Sequence, residues 1–556
     1  MLPKITTAIA VFGFLSLQGQ AQLNVQSGAT FFMQAGAQVT VQGDVQNAGT
    51  LNNDGSLRVQ GNYTNTGTYT GVGTAGVLEM YGTGNSNITA GASVIPNLLI
   101  NKTGAADIVK LNASVTVNNT FNLTNGVFTT DPVANPTFAL ISPAAAAYTF
   151  AAGKEVIGRV TRTGWSNGAA RVFNGTNMLV TTNAGTAPAS LTVTMIPLSA
   201  GGDPTQAERE VKRKFNFTPT GGTGFTADVR YPYLTAELNT NNENNLVPWT
   251  LVASEWNARV TPVTRNTGSD WVNITGIPAA DLAQEWKLAD PNYTMNVTAF
   301  LRGNWNNPTT LMRNTLNTGN LIPLAQPYNA LPFSYTGTES VGVIPNANVV
   351  DWILIELRKP ASGLAPDATI GTLIGRKAGF ILTNGAVVDL DGVTPISVPI
   401  TKQGSGNYMV VKHRNHVSVM SFAKASNATG DFSNNFSSLA NVYQKPAVSA
   451  PAALLPGNAT LYGLWQGDVN GSGAVTAADV SLVNTAFIGP AAGNTNVYNV
   501  RDVNMDRNVT AADLSLTNSA FLGIVNTSTS RPGTQAQVPV RKPVVSHVPG
   551  ENNSVE

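Results

Sequence analysis

No cysteine occurs anywhere in the 556 residues. Disulfide scaffolding, thiol chemistry and cysteine-ligated zinc are therefore excluded, and stability has to come from packing and from non-thiol ligands. Charge is scarce as well. Asp, Glu, Lys and Arg make up 11% of the chain, against roughly 25% in an ordinary soluble protein. A net charge of +1 provides no electrostatic footprint for nucleic acid, and no such partner is expected. The only markedly apolar run covers residues 5–17, behind a lone Lys4 and ahead of Gly19-Gln20-Ala21, a small-x-small cleavage site. That pattern predicts a signal peptide over residues 1–21, too short to span a bilayer. No transmembrane segment is expected, and the location is read as secreted or cell-surface.

Glycine, threonine and asparagine are plentiful, and the length suggests three to five domains. VTVQGDVQNAGTL at 39–51 lines up with LRVQGNYTNTGTY at 57–69, an offset of 18 residues. A short strand, a Gly-Asp/Asn turn, a second strand and an Asn-x-Gly-Thr corner per repeat predict the rungs of a β-solenoid over 22–131. The first tryptophan is Trp165, and this shift in composition puts the predicted boundary near Asp131-Pro132. Solenoids host polysaccharide lyases, whose chemistry needs clustered carboxylates or a base beside Arg or Lys. Here the charges are scattered: Asp44, Asp54, Arg58, Glu79, Lys102, Asp107 and Lys110. A spacer or adhesive stalk is expected instead of an enzyme.

Residues 132–290 and 291–450 alternate polar and apolar positions in short runs broken by Gly, Asn and Pro, which predicts two β-sandwich-like domains. The mixed-sign run Glu208-Arg209-Glu210-Val211-Lys212-Arg213-Lys214 reads as a solvated edge strand. Trp249, Trp256, Trp271 and Trp286 are either core side chains or a platform for stacking sugars. VVDWILIELR at 349–358 is apolar on both faces and predicts a central strand, and the Asn384-Gly385 turn predicts a hairpin. Asp351 and Glu356 fall on opposite faces of that strand and form no local acid pair. In His413-Arg414-Asn415-His416 the two imidazoles serve either a metal or a hydrogen-bonded strand end, and no third ligand lies nearby. Nucleophile elbows, phosphate-cradling loops and His-Glu-x-x-His are all missing. The chain is read as non-catalytic.

The most specific signal is a second duplication. GDVNGSGAVTAADVSLVNTAFIG at 467–489 and RDVNMDRNVTAADLSLTNSAFLG at 501–523 agree at 14 of 23 positions, with an offset of 34. Each copy puts oxygen donors at positions 1, 3, 5, 7, 9 and 12 of a twelve-residue loop, the spacing that wraps one Ca²⁺. The first set is Asp468, Asn470, Ser472, the Ala474 carbonyl, Thr476 through water, and Asp479. The second is Asp502, Asn504, Asp506, the Asn508 carbonyl, Thr510 and Asp513. Val475 and Val509, at position 8, face away and are expected to pair the two loops. An amphipathic helix is predicted after each loop, with Val480, Val483 and Phe487 inward in one and Leu514, Thr517 and Phe521 in the other.

No helix is predicted ahead of either loop, so the unit is loop then helix and not an EF-hand. This duplicated unit, with Asp-x-Asn openings and a closing Asp, resembles the dockerin family over about 60 residues. The resemblance implies two Ca²⁺ sites in a module over 455–525 that docks a protein partner. Ser472 leaves the first loop two carboxylates, and Arg507 stands where position 6 wants a positive φ. Weak sites of roughly 10⁻⁴ to 10⁻³ M are expected, the second being the tighter. In dockerins, loop positions 10 and 11 help choose the partner; here they are Ala477-Ala478 and Ala511-Ala512.

A wider resemblance rests on VDWILIELR, NGAVVDLDG, KHRNHVSVM and LWQGDVN. It is to haemagglutinin-like or adhesin-like modules of large secreted Bacteroidetes proteins. A Pro/Ser/Thr-rich tail over 526–556 is expected to be disordered. The chain is thus read as a mainly β, secreted structural or adhesion protein with a Ca²⁺-stabilised interaction module. Two alternatives stand beside this: a component of extracellular polysaccharide binding or degradation, and a self-assembling surface-layer or fibre subunit.

Overall fold

A computed structural model of the chain describes residues 21–71, 75–197, 210–427, 430–444, 451–488 and 494–523. The expected tail and, save Ala21, the expected signal peptide lie outside the described residues. The fold is mainly β and divides into two compact units, one built chiefly from residues 1–289 and the other from 290–556. Among the described residues no helix is long and apolar enough to cross a membrane.

In the first unit the 18-residue repeat is the stacking register of a parallel β-solenoid. Val39 pairs beside Leu57, Val45 beside Tyr63 and Thr50 beside Thr68. Leu51, Leu57, Val59 and Tyr63 point inward and are fully buried, as strand alternation requires. The corner asparagines point inward too, where Asn47 donates its amide to Asn65 of the next rung at 2.6 Å. The corner glycine has a steric reason: a Cβ on Gly67 would lie 2.1 Å from the Gly49 carbonyl oxygen one rung below. Two of the solenoid's charges form a salt bridge, Arg58 with Glu79 at 2.7 Å. The buried Lys102 donates to the carbonyls of Gln60 and Tyr81.

The parallel ladder runs past Asp131. Leu140–Pro143 and Ala147–Phe150 both stack on Val115–Asn125, and Val156–Thr163 stacks on Leu140–Pro143. Tyr148 and Phe150 lie 5.2 and 6.0 Å from Phe121, so aromatic contact keeps the rungs in register where the repeat sequence has faded. Val156–Thr163 then pairs antiparallel with Ser190–Pro197. The antiparallel strands thus continue a sheet of the solenoid.

Beyond it two antiparallel sheets pack face to face. Tyr231 of Thr226–Pro232 meets Phe215, Phe217 and Trp286 of the facing sheet at 5.2 to 5.8 Å. Trp249 and Trp286 are fully buried and serve as core side chains; Trp256, of the second unit, is 9% exposed. Trp271 is half-buried, with the Arg230 guanidinium 4.1 Å above its ring. Of the mixed-sign run, Glu208 and Arg209 lie outside the described residues, while Glu210 and Arg213 are buried and differ from the solvated edge read in the sequence. Arg213 is buried between Glu155 at 2.7 Å and Glu237 at 2.9 Å, and Lys287 meets buried Glu210 at 3.3 Å. Partners that lie 24 to 77 residues away turned Arg213 and Glu210 inward.

The second unit is organised on Val349–Arg358, whose ten residues are all buried. Leu373–Leu382 and Tyr408–His413 flank it, and His416–Met420 completes that side of the sheet. The Asn384-Gly385 hairpin forms, with Gly385 at φ +85° and Phe380 beside Val388. Glu356, on this strand, is buried against Arg358, Arg376 and Lys412 at 2.5 to 3.1 Å. A three-stranded sheet, Ile396–Pro399, Asn292–Thr298 and Phe432–Asn435, belongs to the same unit.

Candidate calcium module and its seat

The two twelve-residue loops share their turn and the backbone bonds to their first and last aspartates. At position 6 both chains turn left-handed, Gly473 at φ +85° and Arg507 at φ +81°. Their backbone N–H groups donate to the position-1 carboxylates, Gly473 to Asp468 and Arg507 to Asp502, each at 2.8 Å. At position 3 the N–H groups of Asn470 and Asn504 donate to the closing Asp479 and Asp513, both at 3.1 Å. Thr476 and Thr510 donate their N–H to those same aspartates at 2.9 and 2.8 Å. This is the reciprocal half of a capping box, and it places Asp479 and Asp513 in the first turns of Ala477–Ile488 and Ala511–Gly523.

Position 5 separates the loops. Asp506 accepts the Asn504 amide at 2.9 Å, while Ser472 donates its hydroxyl to the Ala474 carbonyl at 3.1 Å. Asp468, Asp479, Asp502 and Asp513 are at most 2% exposed. The last three accept bonds from backbone N–H groups and neutral hydroxyls. In the second loop, burial and the Asp513 carboxylate push Asp502 up to about 7, against the pull of Arg414. Burial likewise raises Asp513. Concentrated, buried negative charge in an oxygen-lined loop is the environment a divalent cation offsets. Among the described residues no three His, Cys, Asp or Glu side chains gather into a metal-holding group by themselves. The Asn, Ser, Thr and carbonyl oxygens are thus needed to complete each set, and a hard oxygen-seeking ion such as Ca²⁺ fits it.

Two sequence expectations are corrected here. Val509 donates its N–H to Asn494 and Thr495 bridges Asn508, so this loop pairs with the segment leading into it. Val475 packs with Val417, Ala520 and Trp465. Phe487 and Phe521, expected inward, are 39% and 41% exposed. The buried stripe begins at each closing Asp, and the phenylalanine eight residues later sits about 80° round the helix. Val483 is buried in the first helix, with Thr517 and Ala520 buried in the second. The four alanines at positions 10 and 11 are exposed.

The module sits on the sheet of its own unit through the hairpin turn that carries both histidines. Asp351, fully buried, accepts from His413 Nε2 at 3.1 Å, from Arg414 Nε at 2.8 Å and from the Tyr498 hydroxyl at 2.8 Å. Burial would raise its carboxyl, but Arg414 and His413 hold it well below the usual carboxylate range. Arg414 lies 4.2 Å over the Tyr498 ring and donates to the Asn499 carbonyl. His416 Nε2 accepts from the Gly303 N–H at 3.1 Å, while its Nδ1 donates to Asn415 at 2.8 Å. Burial lowers the pKa of both imidazoles, against the pull of Asp351. Their ring nitrogens are committed to protein partners, which makes this the strand end and not a zinc site.

Close backbone contacts complete the seat. A Cβ on Gly303 would lie 2.3 Å from the Val503 carbonyl oxygen, and one on Gly471 would lie 2.2 Å from Pro332 Cγ. Arg507 extends its side chain past Gly319, whose Cβ would come within 2.7 Å of it. No local signal marked this role for Asp351, Gly303 or Arg414, because their partners lie in distant sequence.

Residues 466–522 match the family of the dockerin type I domain. Dockerin domains bind calcium and dock protein partners, and proteins that carry them are typically extracellular. Neither a curated protein nor a solved structure matches the chain.

Proposed function

We propose that this is a secreted, non-catalytic structural or adhesive protein, in which a β-solenoid and β-sheet domains serve as a stalk and the dockerin module joins it to a protein partner in the presence of Ca²⁺. The observation that carries the reading is the pair of oxygen-lined loops, alike in their turn and in the backbone bonds to four buried aspartates. The exposed alanine pairs, equal in both copies, favour a partner that reads shape in either of two symmetry-related poses. Participation in extracellular polysaccharide degradation is the second reading, since a dockerin can attach a carbohydrate-active assembly.

A pull-down with the full chain, with and without Ca²⁺, alongside a glycan array, tests the proposal. Calcium-dependent capture of a protein with no glycan signal is the expected result. Glycan binding that persists in chelator would favour the second reading and remove the first.

A further inference from the structure

Asn415 holds the start of both calcium loops at once. Its backbone carbonyl accepts the N–H of Gly467, the residue before Asp468, at 2.9 Å. Its side-chain amide donates to the carbonyl of Asp502, position 1 of the second loop, at 2.8 Å. Asn415 is fully buried, so neither bond competes with bulk water. Its neighbours leave it little freedom: Asn415 Oδ1 is bonded to His416, and Arg414 is bonded to Asp351 and Asn499. The turn sits between Tyr408–His413 and His416–Met420, so its position is fixed by the central sheet.

We infer that Asn415 is a positioning residue for both metal loops, and that Ca²⁺ in the module clamps the sheet domain through this turn. A free dockerin would fold and unfold around its own ions. Here the backbone at the start of each loop is held by a residue of the sheet, so the sheet and the ion share one equilibrium. Linkage is reciprocal: if the turn helps gather the ligands, the ion must steady the turn by the same factor. The strands nearest the turn should then respond to metal, although they supply no ligand. The proposal rests on calcium binding by the module and stands whether or not the partner reading does.

The full chain is titrated with Ca²⁺ by calorimetry, and amide hydrogen exchange is followed by mass spectrometry with Ca²⁺ and with chelator. In the wild type, Ca²⁺ is expected to slow exchange in Val349–Arg358, Tyr408–His413 and His416–Met420 as well as across 466–523. Asn415→Ala removes the side-chain hydrogen bonds to Asp502 and His416 while keeping the backbone bond to Gly467; the loss at Asp502 alone should weaken calcium binding about fivefold, with the gain in strand protection lost. If Asn415→Ala does not fold, Asp513→Asn supplies the comparison: it should abolish the strand response while the strands stay folded. Protection confined to 466–523 in the wild type, or wild-type calcium affinity in Asn415→Ala, would overturn the inference.

Discussion

The phenol of Tyr498 donates to the carboxylate of Asp351 at 2.8 Å across 147 residues of chain. It joins the segment leading into the second calcium loop to the central strand of the sheet. Asp351 is buried and also bonded to His413 and Arg414, so the four side chains act as one network. Tyr498→Phe should destabilise the second unit by roughly 1.5–3 kcal/mol, the range for a hydrogen bond to a charged group. Asp351→Ala should cost more, about 3–5 kcal/mol, because it leaves Arg414 buried without its counter-charge. Urea unfolding followed by tryptophan fluorescence measures both, and equal effects would contradict the network.

Calcium binding should weaken as the pH falls below neutrality. Asp502 is raised to about 7 in the folded, metal-free loop, and Ca²⁺ must displace that proton. For the metal-free module the sign is opposite: a raised folded-state pKa contributes stability below the unfolded value near 4 that is lost as pH rises towards 7. Calorimetry in two buffers of different ionisation enthalpy should reveal proton release at pH 6 and almost none at pH 8.5. Equal release at both would refute the assignment.

Metal removal should be visible in the second unit. Chelator is expected to lower the melting temperature of the second unit and expose residues 455–525 to protease, since the buried aspartates then repel one another. Unchanged melting and unchanged protease resistance would rule out a structural role for calcium.

In the first unit, Arg213→Ala should destabilise by about 3–5 kcal/mol, because Glu155 and Glu237 lose the cation they share. Thermal unfolding of the variant checks this, and a shift no larger than that of an exposed arginine would show the pair to be dispensable.

Gly67→Ala should disrupt the solenoid by about 1–3 kcal/mol or more through overpacking, since its Cβ would meet the Gly49 carbonyl at 2.1 Å. Gly28→Ala offers a contrast, with nothing within 4 Å but a φ of +81°. Circular dichroism melts of the two variants separate steric overlap from backbone strain.

What the sequence determined by itself was local or repetitive. Similar rungs stack on one another, so the offset of 18 is also the register that pairs Val39 with Leu57. The dockerin match over 466–522 rests on twelve consecutive residues at a time, so the repeat from Asp468 to Asp479 and from Asp502 to Asp513 was legible without a fold. Tertiary structure decided what depended on distant partners. Tyr148 and Phe150 carried the solenoid past the composition change at Asp131 by stacking on Phe121. Arg213 went inward because Glu155 and Glu237 were waiting there. His413 to His416 offered two histidines and an ambiguous strand end; Asp351, Gly303 and Asp502, 62 to 113 residues away, made it the seat of the calcium module. A burial contact between such separated groups has no local signature, since either side chain alone would be equally content in water.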